Sequence, residues 1–217
     1  MRKLFVLLTL AALMTLSIAC GGGDKENVTP AAPANENMQP PAANSPDAAL
    51  QDLSKSVEDN PSADGYLNLG NAYTEKGQFS KAVEAYKKGL AINPNHPAML
   101  ANLGVALYQL GRFSEAQEQF KKALKLNPDD AATTYLLGAT YLQLGDQQKA
   151  EAEFKKALAI DPTLPEAHFG LGALYALQGK KDLAIKEFET FLDGPPAQDP
   201  RAKSEAERYL KQLKSGQ

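Results

Sequence analysis

Residues 97–130 have the sequence PAMLANLGVALYQLGRFSEAQEQFKKALKLNPDD, and variants of this stretch recur before and after it. Two glycine series and one proline series keep a constant step, the 34 residues that separate Gly70 from Gly104, through four copies. The series are Gly70, Gly104, Gly138 and Gly172; Gly77, Gly111, Gly145 and Gly179; and Pro94, Pro128, Pro162 and Pro196. A fixed period of this length predicts a solenoid of stacked repeats.

Each copy contains two stretches of apolar residues at helical spacing, separated by the second glycine. In residues 97–130 the first set is Leu100, Leu103 and Leu107, and the second is Ala116, Phe120, Ala123 and Leu124. The first glycine is expected where two helices approach closely, and the second suits a helix C-cap. Proline after Asn127 ends the second helix. Each copy is therefore predicted to be a helical hairpin, with N-caps of the second helices at Ser80, Ser114 and Asp182.

The pattern resembles the tetratricopeptide repeat, with Leu-Gly, Tyr, Ala, Phe, Ala and Pro at set places. The resemblance implies an all-α, right-handed superhelical solenoid of helical hairpins with terminal capping helices. The fourth copy departs from the pattern at Gly194-Pro195-Pro196, so its second helix is expected to end early. The predicted organisation is a signal peptide at 1–19, a lipidated cysteine and disordered tether at 20–46, a half-repeat cap at 47–62, four repeats at 63–96, 97–130, 131–164 and 165–198, and a C-terminal capping helix at 199–217.

The first twenty residues have the features of a bacterial export signal. A basic start, Arg2-Lys3, precedes the apolar run 4–16 and the small-residue site Ser17-Ile18-Ala19-Cys20. This site resembles a lipobox, in which the cysteine is acylated and becomes the mature N-terminus. The alternative is an ordinary secreted protein with an incidental cysteine. We expect lipidation at Cys20, which would anchor the protein to a membrane because two or more acyl chains give stable attachment.

The segment after the cysteine is expected to be a flexible tether. Residues 21–46 are rich in Gly, Ala, Asn and Pro and have almost no large apolar side chain, so they cannot bury enough surface to fold. Resemblance to lipoproteins of two-membrane bacteria associates Gly21 with the outer membrane. The expected location is the cell envelope, with the protein lipid-anchored to a membrane; in a cell with two membranes this is the outer membrane, and the protein faces the periplasm.

The sequence offers no constellation for catalysis, and neither a metal site nor a cofactor is predicted. His96 falls in a loop, and His168 occupies the large-residue position of the fourth repeat, where helix packing is its expected role. Loss of Arg2 and Lys3 would take the formal charge from −3 to −5, which favours neither nucleic acid nor anionic lipid as a partner. No small-molecule substrate is expected.

Pairs of lysines recur on the second helices, at Lys87-Lys88, Lys121-Lys122 and Lys155-Lys156. Glutamates three to five residues earlier, Glu84, Glu118 and Glu151, are expected to pair with them. We interpret the lysine pairs as solvated helix faces, and a basic binding ladder is the alternative.

Binding in a concave groove is the function that the family resemblance implies. The groove is predicted to be lined by exposed residues between the packing positions of the first helices. These are Leu67, Asn71, Thr74, Ala101, Asn102, Val105, Tyr108, Tyr135, Ala139, Leu142, Phe169, Ala173 and Ala176. The alternative is that some of them are covered by the C-terminal helix or pack between repeats.

A comparison with family members that clamp a peptide carboxylate sharpens this expectation. Asn71 and Asn102 match the two asparagine places, but Leu67, Ala132 and Leu136 stand where the cations would be. A carboxylate clamp is therefore absent, and the asparagines are expected to hydrogen-bond the backbone of an extended or helical peptide. The predicted function is a membrane-anchored, non-enzymatic scaffold that aids assembly of an envelope complex, such as pilus, secretin or outer-membrane machinery. A general adaptor that recruits a soluble or periplasmic enzyme is the alternative.

Overall fold

The computed structural model describes residues 46–197, 199 and 201–215, and these residues form ten α-helices and no strand. The helices are α1 (Pro46–Asp59), α2 (Ala63–Glu75), α3 (Phe79–Ile92), α4 (Pro97–Gln109), α5 (Phe113–Leu126), α6 (Ala131–Gln143), α7 (Gln147–Ile160), α8 (Pro165–Leu177), α9 (Lys181–Asp193) and α10 (Arg201–Ser215). The predicted signal peptide, Cys20 and nearly all of the predicted tether lie outside this part of the chain.

The helices pack as four antiparallel hairpins, α2–α3, α4–α5, α6–α7 and α8–α9, and each hairpin packs on the next. The first helices α2, α4, α6 and α8 also contact one another in a row, whereas the second helices make no comparable contacts. The first helices therefore lie on the inner, concave side of the stack. Helix α1 packs on α2 at one end, and α10 packs on α9 and α8 at the other. The predicted all-α solenoid of helical hairpins is confirmed.

The 34-residue glycine frame sets the hairpin geometry. A Cβ placed on Gly138 of α6 would lie 2.8 Å from the Phe154 ring of α7, which is closer than real Cβ contacts allow. Gly145, in the turn between these helices, has φ of +82° and open space around its Cα. The first glycine therefore serves close approach, and the second serves a left-handed turn, as predicted.

The helix ends correct one detail of the sequence interpretation. Helices α3, α5 and α9 begin at Phe79, Phe113 and Lys181, one residue before the predicted caps, so Ser80, Ser114 and Asp182 lie inside the first turn. The preceding loop is too short to place a cap there, because the glycine with positive φ is followed by a single residue before each helix starts. Helix α9 ends at Asp193, one residue earlier in the repeat than α3, α5 and α7, as expected from Gly194.

A nearly continuous hydrophobic core runs through the stack, with one large side chain of each second helix at its centre. Tyr86, Phe120, Phe154 and Phe188 are each 0–1% exposed. Helix α10 extends the core, since the Tyr209 ring stacks on Phe188 with a centroid distance of 5.2 Å. No helix in the described ranges is long and apolar enough to cross a bilayer.

Candidate peptide-binding groove

The concave layer has a distinct charge. Helices α2, α4, α6 and α8 contain no lysine or arginine, and their acidic residues are Asp64, Glu75 and Glu166. Every lysine and arginine of the four repeats lies instead on a second helix or in a turn. A ligand on the concave side therefore meets neutral or acidic groups.

In the first repeat, the polar atoms of this layer satisfy one another. The Asn71 side-chain oxygen accepts hydrogen bonds from the Tyr86 hydroxyl and the Asn102 amide, both at 2.8 Å. The Thr74 hydroxyl lies 3.1 Å from the Tyr86 hydroxyl and donates to the Gly70 carbonyl at 2.9 Å. Burial raises the pKa of Tyr86 to about 12. The Asn71 oxygen, expected to serve a ligand backbone, is thus engaged within the protein.

The predicted exposure of the groove residues is wrong for its aromatic and apolar members. Val105, Tyr108, Tyr135, Leu142 and Phe169 are all buried, with exposed fractions between 1% and 6%. The cause is visible in the ring contacts. The Tyr108 ring packs edge-on against Phe113 at 5.0 Å, and the Tyr135 ring stacks on Phe154 at 5.7 Å.

The remaining predicted groove residues fall into two groups. Leu67, Asn71, Thr74, Asn102 and Ala176 are half-buried, whereas Ala101, Ala139 and Ala173 are buried. The half-buried members lie mainly at the N-terminal end of the concave layer, and the buried members lie in the second to fourth repeats.

Phe169 has a specific reason for its burial. Its ring contacts Phe188 at 5.6 Å and Phe191 at 5.5 Å, and Tyr209 of α10 lies 6.4 Å away. The C-terminal helix therefore helps to cover Phe169, which is one of the two alternatives that the sequence left open. Phe169 belongs to the core at the end of the stack.

Two tyrosines of the concave layer have hydroxyls that are buried without a hydrogen-bond partner, those of Tyr108 and Tyr135. Burial raises the pKa of Tyr135, and the nearby Tyr108 phenol and Glu166 carboxylate raise it further. Burial also raises the pKa of Tyr108, and the nearby Gln143 side chain partly offsets this effect. Such orphan groups are costly, so they call for a physical reason.

His168 is held as a structural residue. Its Nδ1 lies 2.8 Å from the Glu187 carboxylate, and its Nε2 lies 3.2 Å from the Pro162 carbonyl oxygen. His96 caps α4, since its Nδ1 accepts the Met99 backbone N–H at 3.2 Å. Within the described ranges, no group of three or more His, Cys, Asp or Glu side chains is arranged to hold a metal ion.

The lysine pairs of the second helices are exposed, and only one of the expected glutamates pairs with them in this part of the chain. Lys155 lies 2.7 Å from Glu151, which also accepts the Tyr175 hydroxyl at 3.1 Å. Among the described residues Glu84 and Glu118 form no ion pair. Two of the lysines instead sit over tyrosine rings, with Lys88 5.9 Å from Tyr66 and Lys121 5.5 Å from Tyr141.

Two features of the groove escaped sequence reasoning. The hydrogen bond from Asn102 to Asn71 joins residues of different repeats, and Tyr86 contributes from a second helix. Because these residues are far apart in the sequence, a local sequence pattern does not predict this network. Glu166 is the only acidic residue of α4, α6 and α8, and this contrast was available in the sequence.

The chain is similar in sequence and fold to known repeat proteins. Family profiles described as tetratricopeptide repeat match residues 101–165 and 141–206, and a TPR repeat profile matches residues 70–111. The crystal structure of MamA is 25% identical, with 76% of this chain and 92% of that chain covered and a TM-score of 0.64. TTC0263, a thermophilic TPR protein of Thermus thermophilus, is 26% identical, with 76% and 91% covered and a TM-score of 0.63.

A third structure shares the fold at lower identity. YrrB, described as a TPR protein with an unusual peptide-binding site, is 22% identical, with 77% of this chain and 84% of that chain covered and a TM-score of 0.60. A search of curated proteins found no match. The three profiles together span residues 70–206, which includes most of the stacked hairpins at 63–193. The chain therefore belongs to the tetratricopeptide-repeat family.

Proposed function

We propose that this protein is a membrane-anchored scaffold that binds a segment of a partner protein on its concave face and thereby aids assembly of an envelope complex. Tetratricopeptide repeats bind peptide or protein partners. The observation that carries the proposal is the concave layer, a row of four first helices that contain no lysine or arginine and that leave Leu67, Asn71, Thr74, Asn102 and Ala176 half-buried. Such a layer suits a peptide or helix that needs no cation for its recognition.

The sequence around Cys20 supports a lipid anchor at this residue. The first test therefore replaces Cys20. Cys20→Ser should shift the protein from the membrane fraction to the soluble fraction after cell fractionation, because the acyl chains are attached through the thiol. An equivalent substitution in the tether, Ser45→Ala, is the control and should leave partitioning unchanged. Normal membrane partitioning of Cys20→Ser would exclude the lipid anchor.

The binding face is tested with one arginine placed at either of two alanines. Ala176 is half-buried on the concave helix α8, whereas Ala152 is exposed on the second helix α7. Ala176→Arg should abolish capture of the partner from detergent-solubilised membranes, and Ala152→Arg should not. Both variants should first be shown to melt cooperatively. Equal capture by both would move the site away from the concave face.

The adaptor function is the second candidate, and deletion of the protein separates the two. An assembly factor should change the membrane level or oligomeric state of one large complex when it is lost. An adaptor should instead bring down a soluble enzyme while every envelope complex keeps its level.

A further inference from the structure

A cleft on the outer side of the first repeat separates α1 from α3. Two adjoining cavities of about 710 Å³ and about 240 Å³ form this cleft, and Ser54, Glu58, Tyr73 and Lys81 line both of them. Helices α1 and α3 contribute the walls, and Tyr73 belongs to α2. Glu58 and Lys81 are exposed, and Ser54 and Tyr73 are half-buried. A ligand can therefore reach these side chains without any movement of the helices.

The third repeat shows which group takes the equivalent place further along the stack. Tyr141 is the eleventh residue of α6, as Tyr73 is of α2, and both helices have 13 residues. Lys149 of the same hairpin lies 5.4 Å from the Tyr141 ring centroid, and Lys121 of the preceding helix α5 lies 5.5 Å from it. With a lysine from each neighbouring second helix, Tyr141 is only 6% exposed.

The fourth repeat has a related arrangement. Lys180 lies 5.4 Å from the ring centroid of Tyr175, the eleventh residue of α8. The preceding helix α7 contributes Lys155, which lies 2.7 Å from Glu151, and Glu151 accepts the Tyr175 hydroxyl at 3.1 Å. Tyr175 is 4% exposed. A cation from the preceding second helix therefore accompanies the tyrosine in both repeats.

Tyr73 in the first repeat lacks this cation. Lys81, which corresponds to Lys149, lies 5.5 Å from the Tyr73 ring centroid, but among the described residues no lysine or arginine of α1 lies over the ring. Helices α1 and α5 both have 14 residues, and the ninth residue is Ser54 in α1 and Lys121 in α5. Tyr73 is accordingly half-buried, whereas its two counterparts are buried.

The charges of the cleft favour a cation from outside the chain. Near its end, α1 has Glu58 where α5 has Lys125. Glu84 of α3 lines the smaller cavity together with Glu58, and neither carboxylate forms an ion pair in the described part of the chain. The lysines of the cleft are Lys55, Lys81 and Lys88, and its acidic residues are Glu58, Asp59 and Glu84. Because these charges balance, an added cation meets no net repulsion and finds two unpaired carboxylates.

We propose that this cleft binds a lysine or arginine side chain of a partner protein, with the cation over the Tyr73 ring and against Glu58. The place is the one that Lys121 takes on Tyr141, and the ring face and the carboxylate both stabilise a cation there. A polypeptide suits the cleft because the larger cavity exceeds the volume of one ammonium group and offers Leu50 to a neighbouring side chain. The site lies on the outer side of the array, so it is a second binding site beyond the concave face.

The test fills the site from within the chain. Ser54→Lys gives α1 the residue that α5 has at this place, and its ammonium group should cover Tyr73 as Lys121 covers Tyr141. Ser56→Lys is the matched control, because Ser56 is exposed on the same helix and lines neither cavity. Peptides are selected from a random displayed library on the full chain in detergent and on both variants. The intact protein and Ser56→Lys should enrich peptides with lysine or arginine at one fixed position, and Ser54→Lys should not.

One selected peptide then gives the magnitude. Ser54→Lys and Glu58→Gln should each weaken its binding about tenfold, and Ser56→Lys should change it by less than about twofold. Tyr73→Leu, which introduces the residue that the second repeat has at Leu107, should weaken binding several-fold. When the basic residue of the peptide is replaced by glutamine, the intact protein and Ser54→Lys should bind it equally, because both changes remove the same interaction.

The outcomes distinguish this site from the concave face and from a small-molecule site. A selected basic peptide should bind Ala176→Arg as tightly as the intact protein, and its loss in that variant would assign it to the concave face and overturn the cleft. Equal binding to Ser54→Lys and Ser56→Lys, or selection of no basic position, would overturn the cation site. Binding of spermidine but of no peptide, lost with Ser54→Lys, would overturn the partner protein as the source of the cation.

Discussion

The first and third repeats have the same helical-hairpin backbone, but they differ in the hydrogen bonding of the polar side chains near their concave faces. In the first repeat, Asn71 and Tyr86 complete a hydrogen-bond network that extends to Asn102 of the next repeat. In the third repeat, the Tyr135 hydroxyl is buried with no partner. The repeated glycines and prolines thus fix how the hairpins stack, whereas the residues between them decide whether the polar atoms of a concave face are hydrogen-bonded.

The largest expected loss of stability comes from a substitution at the close contact between the two helices of a hairpin. Gly138→Leu in the third repeat should lower the free energy of unfolding by about 3 kcal/mol, because its side chain would collide with the Phe154 ring of α7. Urea denaturation followed by circular dichroism measures the change. Gly145→Ala is the control, since its Cβ meets no atom and only the positive φ is strained, at a cost of about 1 kcal/mol. An unchanged transition for Gly138→Leu would place the packing face of α6 elsewhere.

The next prediction contrasts the two tyrosines directly. Tyr86→Phe removes a hydroxyl that bonds Asn71 and contacts Thr74, so it should cost about 1–2 kcal/mol of stability by the same measurement. Tyr135→Phe removes a hydroxyl without a partner and keeps the ring on Phe154, so stability should be unchanged or slightly raised. Equal losses in the two variants would mean that Tyr135 has an internal partner, and the contrast between the repeats would disappear.

The frame could be predicted from the sequence because it is local and repeated. Gly145 and Pro128 mark turns and helix ends wherever they occur, so the hairpins and their close contacts follow from the 34-residue period. Burial of the concave side chains did not follow, because it depends on how near the neighbouring helices and rings come. Tyr108 was expected in an open groove, but its ring packs against Phe113 at the start of the next helix.

The pairing of polar atoms was still harder to predict. The alignment with carboxylate-clamp proteins found Asn71 and Asn102, yet gave no indication that they bond each other. The orphan hydroxyls of the concave layer are equally invisible in the sequence, since tyrosine at these positions is compatible with either a satisfied or an unsatisfied hydroxyl. Helical spacing in the sequence identifies which residues share a face, but only the three-dimensional structure shows which side-chain atoms form hydrogen bonds.

The fourth repeat differs from the others in that α10 packs on it and covers the end of the stack. Asp199 is buried, and its carboxylate accepts the Arg201 backbone N–H at 2.8 Å and the guanidinium at 2.7 Å. This contact with Arg201 holds the pKa of Asp199 below its ordinary value of 3.8. The stabilisation is therefore complete above that value and is lost as the pH falls through the lower folded pKa.

Asp199→Asn should accordingly cost about 1 kcal/mol at neutral pH, and the difference from the intact protein should shrink below about pH 3.8. Denaturation curves measured across this range give both quantities. Because α10 covers Phe169, the same variant should also increase hydrogen exchange in α10 before any change appears in α2. A difference that grows on acidification would contradict the assigned direction of the pKa.

The smallest expected change in stability concerns the glutamates on the outer faces of the first and third repeats. Glu151 pairs with Lys155 at 2.7 Å and accepts the Tyr175 hydroxyl, whereas Glu84 of the first repeat forms no ion pair among the described residues. Glu151→Gln should cost about 0.5 kcal/mol at low salt and less at high salt, and Glu84→Gln should be neutral. Hydrogen bonding from Lys155 lowers the pKa of Glu151, so its contribution disappears as the pH falls below about 4.5. If Glu84→Gln cost as much as Glu151→Gln, the repeats would be equivalent on their outer faces, and their difference would lie in the concave layer alone.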